Sequence, residues 1–343
     1  MLRHPPALSA LAVLLAAILS AARAAPPPAG ALRADVVFDG VTPLSANAEI
    51  VRRLLSPLGG ALIPGAVARS GKPLAEQPID PRRERFVVYV PARAPAAGYG
   101  LLVFVPPWDE AVLPAGWAQV LDSRGVIFVA AARSGNDATP LSRREPLALI
   151  AAANLIARYH IDPTRVWVAG FSGGSRVAMR LALGYPDLFR GALLNDGSDP
   201  IGEGRVPLPP KDLFALFQAR SRLVYATGAK DAGVLPEDEA SMTSMGRSCV
   251  FDLVSQISAR VGHQVLDSGR LARALDALDG PARPDPARLA ACRARLEADL
   301  AAKFQQLDAL VAAGRRREAR ALLTRIDQRF GGLAAPRSVE AAR

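Results

Sequence analysis

From residue 85 onward, short apolar runs alternate with stretches whose apolar positions recur every three or four residues. Residues 85–90 read as a strand, and residues 101–105 and 126–131 are continuous apolar runs, as buried strands show. Residues 146–159 carry helical spacing. Residues 166–169 form a further strand that leads through a glycine-flanked turn into a helix, which stops near Gly184-Tyr185-Pro186. Strands at 191–194 and 222–226 and a last strand at 249–254 follow, interleaved with helices at 212–218 and 268–278. Upstream, residues 34–38 predict a strand and 46–55 an amphipathic helix starting at Ser45 or Asn47. A Gly- and Pro-rich loop then runs to about residue 83. Apolar strands alternating with helices predict an α/β fold, a mainly parallel sheet with helices on both faces.

Past residue 280 the pattern changes. Residues 287–312 and 316–329 predict two charged, Ala- and Leu-rich helices joined near Gly314, a C-terminal helical hairpin. Such a hairpin either packs on the sheet domain or offers a face to a partner or a second copy. The expected division is a leader over 1–24, a strand–helix segment and loop over 25–83, an α/β core over 84–279, and a linker with the hairpin over 280–343.

The glycine-flanked turn carries the chemistry. Gly170, Ser172 and Gly174 fit G-x-S-x-G, the pattern of a nucleophile elbow. A serine on a sharp strand-to-helix turn is exposed, and the helix N-terminus aims backbone N–H groups at an oxyanion formed beside it. Such a serine needs a base, and the base needs an orienting carboxylate. The chain has three histidines. His4 lies in the leader, and His160 precedes the elbow strand, at the opposite end of the sheet from Ser172. His263, in a loop after the last strand, remains as the base. Asp231, after the strand at 222–226, is the favoured acid, giving the order Ser, Asp, His. Asp196, Asp199, Glu237 and Asp238 are its rivals. Arg176 offers either an anion contact or an ordinary helix-surface ion pair. The Ser134-Gly135-Asn136-Asp137 loop is either a substrate contact or a plain turn.

The elbow GFSGG, the acid in TGAKD and the base in VGHQV followed by a helix resemble the α/β-hydrolase superfamily. Within it the chain is most similar to exported polyhydroxybutyrate depolymerase-like and feruloyl esterase-like serine esterases, through VVYVPARAP, RYHIDPTRVWVAGFSGG and GHQVLDSGRLARALDALD. The likeness runs from about residue 85 to 279. It implies an α/β-hydrolase fold and hydrolysis of a carboxylic ester, small or polymeric, through an acyl-serine, with no metal or organic cofactor. The same triad serves serine peptidases, and a non-catalytic binding protein on this fold is the rival from another class. One turn departs from the family. Where a His-Gly or Gly-rich turn usually donates an oxyanion N–H, this chain has Pro106-Pro107-Trp108-Asp109. Proline has no N–H, so the expected oxyanion donors are Gly173 and Trp108, with Asp109 as the substitute for Trp108. Trp108 also suits a wall of the acyl pocket.

Composition adds the setting. Residues 7–20 are apolar but too short to span a membrane, follow Arg3 and His4, and precede Ala22-Arg23-Ala24, an A-x-A cleavage pattern. The sequence therefore predicts a cleaved signal peptide and a secreted or periplasmic protein without stable membrane insertion. In such a compartment Cys249 and Cys292 could pair, or both stay as buried thiols. The net charge of +10 comes from scattered arginines, with lysine only at positions 72, 211, 230 and 303. No nucleic-acid motif accompanies it, so no nucleic-acid partner is expected.

Overall fold

The computed structural model describes residues 30–281 and 285–342; the expected signal peptide lies outside them. The first half comprises β1 (Ala31–Val36), α1 (Asn47–Leu54), α2 (Pro57–Ala61), α3 (Ile63–Ser70), β2 (Phe86–Val90), β3 (Tyr99–Val105), α4 (Trp117–Arg124) and β4 (Val126–Ala131). Next come α5 (Glu145–Arg158), β5 (Ile161–Phe171), α6 (Gly173–Gly184), β6 (Gly191–Asn195), α7 (Lys211–Arg220) and β7 (Arg222–Gly228). The chain ends with α8 (Leu235–Arg247), β8 (Leu253–Ser258), α9 (Ser268–Asp279), α10 (Pro286–Ala312), α11 (Arg316–Phe330) and α12 (Arg337–Ala341).

The strands join one eight-stranded sheet in the order β1-β2-β4-β3-β5-β6-β7-β8. β2 pairs antiparallel with both β1 and β4, and every pair from β4 to β8 is parallel. Alternate residues explain why the strands are apolar throughout. Val103, Ile127 and Val168 point into one core with α5, α6 and α7, whereas Leu102, Phe128 and Trp167 point into the other with α4 and α9. The order reverses at β3, which lies between β4 and β5. In open α/β sheets ligands bind outside the carboxyl ends of the strands at such a switch point, and the loops after β3, β4 and β5 emerge there.

The α/β architecture, parallel sheet and C-terminal hairpin are as the pattern predicts; several boundaries are not. The last strand is Leu253–Ser258, not residues 249–254. Cys249 and Val250 are apolar because they are buried in the core that α5, α6 and α7 share, Cys249 at φ 64° in a tight turn. The first strand is Ala31–Val36 rather than 34–38, and Phe38 is a core residue outside it. Part of the expected loop before residue 83 folds as α2 and α3, each with proline in its first turn, where a missing N–H costs nothing. α8 escapes the pattern because its buried residues are mostly polar, namely Asp238, Ser241, Ser244 and Met245.

Cys249 and Cys292 form a disulfide that ties α10 to the turn before β8. Leu296, Phe304, Leu323, Ile326 and Phe330 of the hairpin join the core on the α5–α6 side of the sheet. No helix among the described residues is long and apolar enough to cross a membrane.

Candidate active site

Ser172 caps β5 at φ 55° and ψ −124°, a conformation that few non-glycine residues adopt. Close backbone packing holds it there. A Cβ on Gly174 would overlap Val105 O at the end of β3 and lie 3.1 Å from Pro106 C; a Cβ on Gly170 would overlap Gly174 itself. Both motif glycines are thus required by the approach of α6 to β3 and β5. From the neighbouring strand, Asn195 O accepts the Ser172 N–H at 2.9 Å. Gly173 and Gly174, the first two residues of α6, have N–H groups that find no acceptor within the helix by their position.

Ser172 Oγ lies 2.9 Å from His263 Nε2, and His263 Nδ1 lies 2.5 Å from Asp231 Oδ2. The three side chains therefore form one hydrogen-bonded line, open to solvent at the imidazole, which is 40% exposed, and closed at the carboxylate, which is 10% exposed. The loop carrying His263 is fixed on both sides. Lys230 N–H donates to Val261 O (2.8 Å), and Leu266 N–H donates to Asn195 Oδ1 (3.0 Å). The buried Trp117 indole donates to Leu266 O at 2.8 Å. The imidazole also packs against the Phe171 ring, 4.9 Å between centroids. His160 precedes β5, roughly 30 Å from Ser172 along that strand.

The rival carboxylates serve other bonds. Asp196 is fully buried behind the site and accepts N–H groups from Gly228 (2.7 Å) and Gln264 (3.3 Å), one residue beyond His263. It thereby ties the end of β7 to the histidine loop, a role the sequence did not reveal, and burial pushes its carboxyl above the usual range. Asp238 is buried between the hydroxyls of Ser198 (2.5 Å) and Thr227 (2.7 Å), and burial raises its carboxyl too. Asp199 and Glu237 pair with Arg176, which also donates to Ser198 O. Arg176 is therefore occupied by the protein itself. Among the described residues, Asp196, Asp231 and His263 bring possible metal-ligand atoms within 4.8 Å of one another. Their donor set is already committed, because His263 Nδ1 is bonded to Asp231 and both Asp196 oxygens accept backbone N–H groups.

Facing the serine is a wall built from two loops. After β3 runs Pro106-Pro107-Trp108-Asp109, and after β4 runs Ser134-Gly135-Asn136-Asp137. Asn136 N–H donates to Pro107 O (3.0 Å), and Gly135 N–H donates to Asp109 Oδ1 (3.0 Å). Beneath both loops, the buried Arg144 guanidinium donates to Pro106 O and Ser134 O, each at 2.9 Å. The Trp108 ring packs near Phe104 and Phe171, and its indole N–H is buried without a partner among the described residues.

No protein-family model and no curated protein matches the sequence. Solved structures do resemble the fold. An acetyl xylan esterase from Aspergillus awamori is 15% identical over 57% of this chain and 94% of its own, with a TM-score of 0.42. LpqC, a poly(3-hydroxybutyrate) depolymerase from Bordetella parapertussis, is 18% identical over 61% of this chain and 88% of its own, also with a TM-score of 0.42. Dipeptidyl peptidase 4 from Porphyromonas gingivalis is 13% identical over 58% of this chain with a TM-score of 0.41, and this chain spans only 34% of its length. The strand order, the antiparallel β2 and the serine turn between β5 and α6 make this chain an α/β-hydrolase fold.

Proposed function

We propose that the protein is an exported serine hydrolase that cleaves carboxylic esters through an acyl-serine intermediate. The observation that carries this reading is the unbroken line Ser172 Oγ, His263 Nε2, His263 Nδ1, Asp231 Oδ2. His263 takes the proton as Ser172 Oγ attacks the ester carbonyl, and Asp231 holds the imidazole in the tautomer that can accept it. The tetrahedral oxyanion faces the N–H groups of Gly173 and Trp108. Collapse breaks the bond to the alcohol oxygen, which leaves with the proton from His263. Water, deprotonated by the same imidazole, then releases the acid and restores Ser172.

The choice of ester over amide rests on the sequence resemblance, and export rests on the expected signal peptide. Turnover of a panel of aryl and alkyl esters, set against peptide amides of matching acyl groups, tests the bond class. Esters should be cleaved and amides left intact, with ester turnover abolished in Ser172→Ala. Faster cleavage of the amides would make the protein a peptidase instead.

A further inference from the structure

Pro106 and Pro107 have no N–H to offer an oxyanion, so the β3 loop of the wall has only the Trp108 N–H to bring to the site. The β4 loop of the wall brings to the elbow a group that nothing else among the described residues uses. A Cβ on Gly173 would overlap Asn136 Oδ1 and lie 2.9 Å from Asn136 Cγ and 3.2 Å from Nδ2. Gly173 therefore leaves room for the Asn136 carboxamide to lie directly against the residue whose own N–H faces the oxyanion. Asn136 is exposed and its carboxamide makes no hydrogen bond among the described residues, so no protein partner fixes which end of the amide faces the serine, and a half-turn exchanges the oxygen and the NH₂. Its backbone is anchored, because Asn136 N–H is bonded to Pro107 O at 3.0 Å. Arg144 locks the two loops from below through Pro106 O and Ser134 O.

We propose that the Asn136 side-chain amide is an oxyanion donor, acting beside the Gly173 N–H in the role that the proline turn has lost. This rests on the acyl-serine reading of Ser172 and specifies how its charged intermediate is held. A free amide on a braced loop, touching the residue after the nucleophile, has the chemistry this role demands. It donates to a developing negative charge and needs no ionisation. Removing one such donor from a serine hydrolase lowers kcat by about 100- to 1,000-fold.

The test uses the full-length protein with an activated ester and a boronic acid whose tetrahedral serine adduct mimics the intermediate. Asn136→Ala and the isosteric Asn136→Asp should each lower kcat about 100-fold, with KM changed less than about threefold. Boronic acid affinity should fall by a similar factor, and the thermal midpoint should stay close to wild type. A merely structural Asn136 would lower the midpoint without the parallel loss in kcat and boronate affinity, and that result would overturn the proposal. So would both variants keeping kcat within about threefold of wild type. A wild-type protein that neither turns over esters nor reacts at Ser172 would instead overturn the acyl-serine reading, and this proposal with it.

Discussion

The elbow and the loops that face it are built on different principles. On the elbow side, Ser172 is held by backbone against backbone, with Gly170 and Gly174 packed on each other and on the end of β3. On the facing side, Trp108 and Asn136 sit on loops joined by a few hydrogen bonds and braced from below by Arg144. One side fixes the position of a nucleophile and tolerates no added atom at Gly170 or Gly174. The other presents donors and an aromatic surface, and its chemistry can change while the fold stays. The elbow therefore matches a widespread sequence pattern, whereas the Pro106-Pro107-Trp108 turn of the wall departs from the glycine-rich turn that the resemblance leads one to expect.

Substitutions can break this contrast in order of effect. His263→Ala removes the base bonded to Ser172 Oγ and should lower kcat by about 10⁴-fold, read from initial rates with an activated ester. Adjacent glycines give the sharpest comparison. Gly174→Ala drives a Cβ into Val105 O and should cost about 3 kcal/mol or more of stability, measured by urea unfolding. Gly173→Ala meets only the tip of Asn136, a side chain that can swing aside. Its stability should stay within about 1 kcal/mol while kcat falls about tenfold. Equal losses of stability in the two variants would erase the distinction between the sides.

The smallest effect concerns the support of the wall. Glu145, next to Arg144, is fully buried, and its oxygens make no hydrogen bond among the described residues; Arg180 lies 3.3 Å from one of them. Burial pushes its carboxyl above the ordinary 4.5, so folding favours the neutral acid. The folded state is then most favoured below pH 4.5 in respect of this group, and that contribution is lost as pH rises through the raised value. Glu145→Gln should flatten the fall of stability above pH 4.5, measured by urea unfolding at several pH values. A steeper fall in the variant would mean that the carboxylate is stabilising.

How much of the molecule is legible in the sequence follows from the same contrast. The elbow can be read because its constraints are local, two glycines and a serine within five residues, between an apolar strand and a helix. His263 emerges because few histidines compete, and Asp231 because strand ends at one sheet edge share a face. Asn136 is visible only as part of a loop, since its meeting with Gly173 depends on β3, β4 and β5 lying side by side. Asp196 stands in the sequence only as a rival acid, because its bond to Gln264 needs the histidine loop already folded. The last strand is expected four residues too early because buried apolar side chains at Cys249 and Val250 imitate a strand.

Ser172 is an activated nucleophile if His263 and Asp231 work on it as their hydrogen bonds suggest, and intact-protein mass spectrometry with a fluorophosphonate probe reads that reactivity. A single adduct should form, map to Ser172 by peptide sequencing, be absent in Ser172→Ala, and form far more slowly in His263→Ala. A folded wild-type protein that stays unmodified, or an adduct that persists in Ser172→Ala, would contradict it.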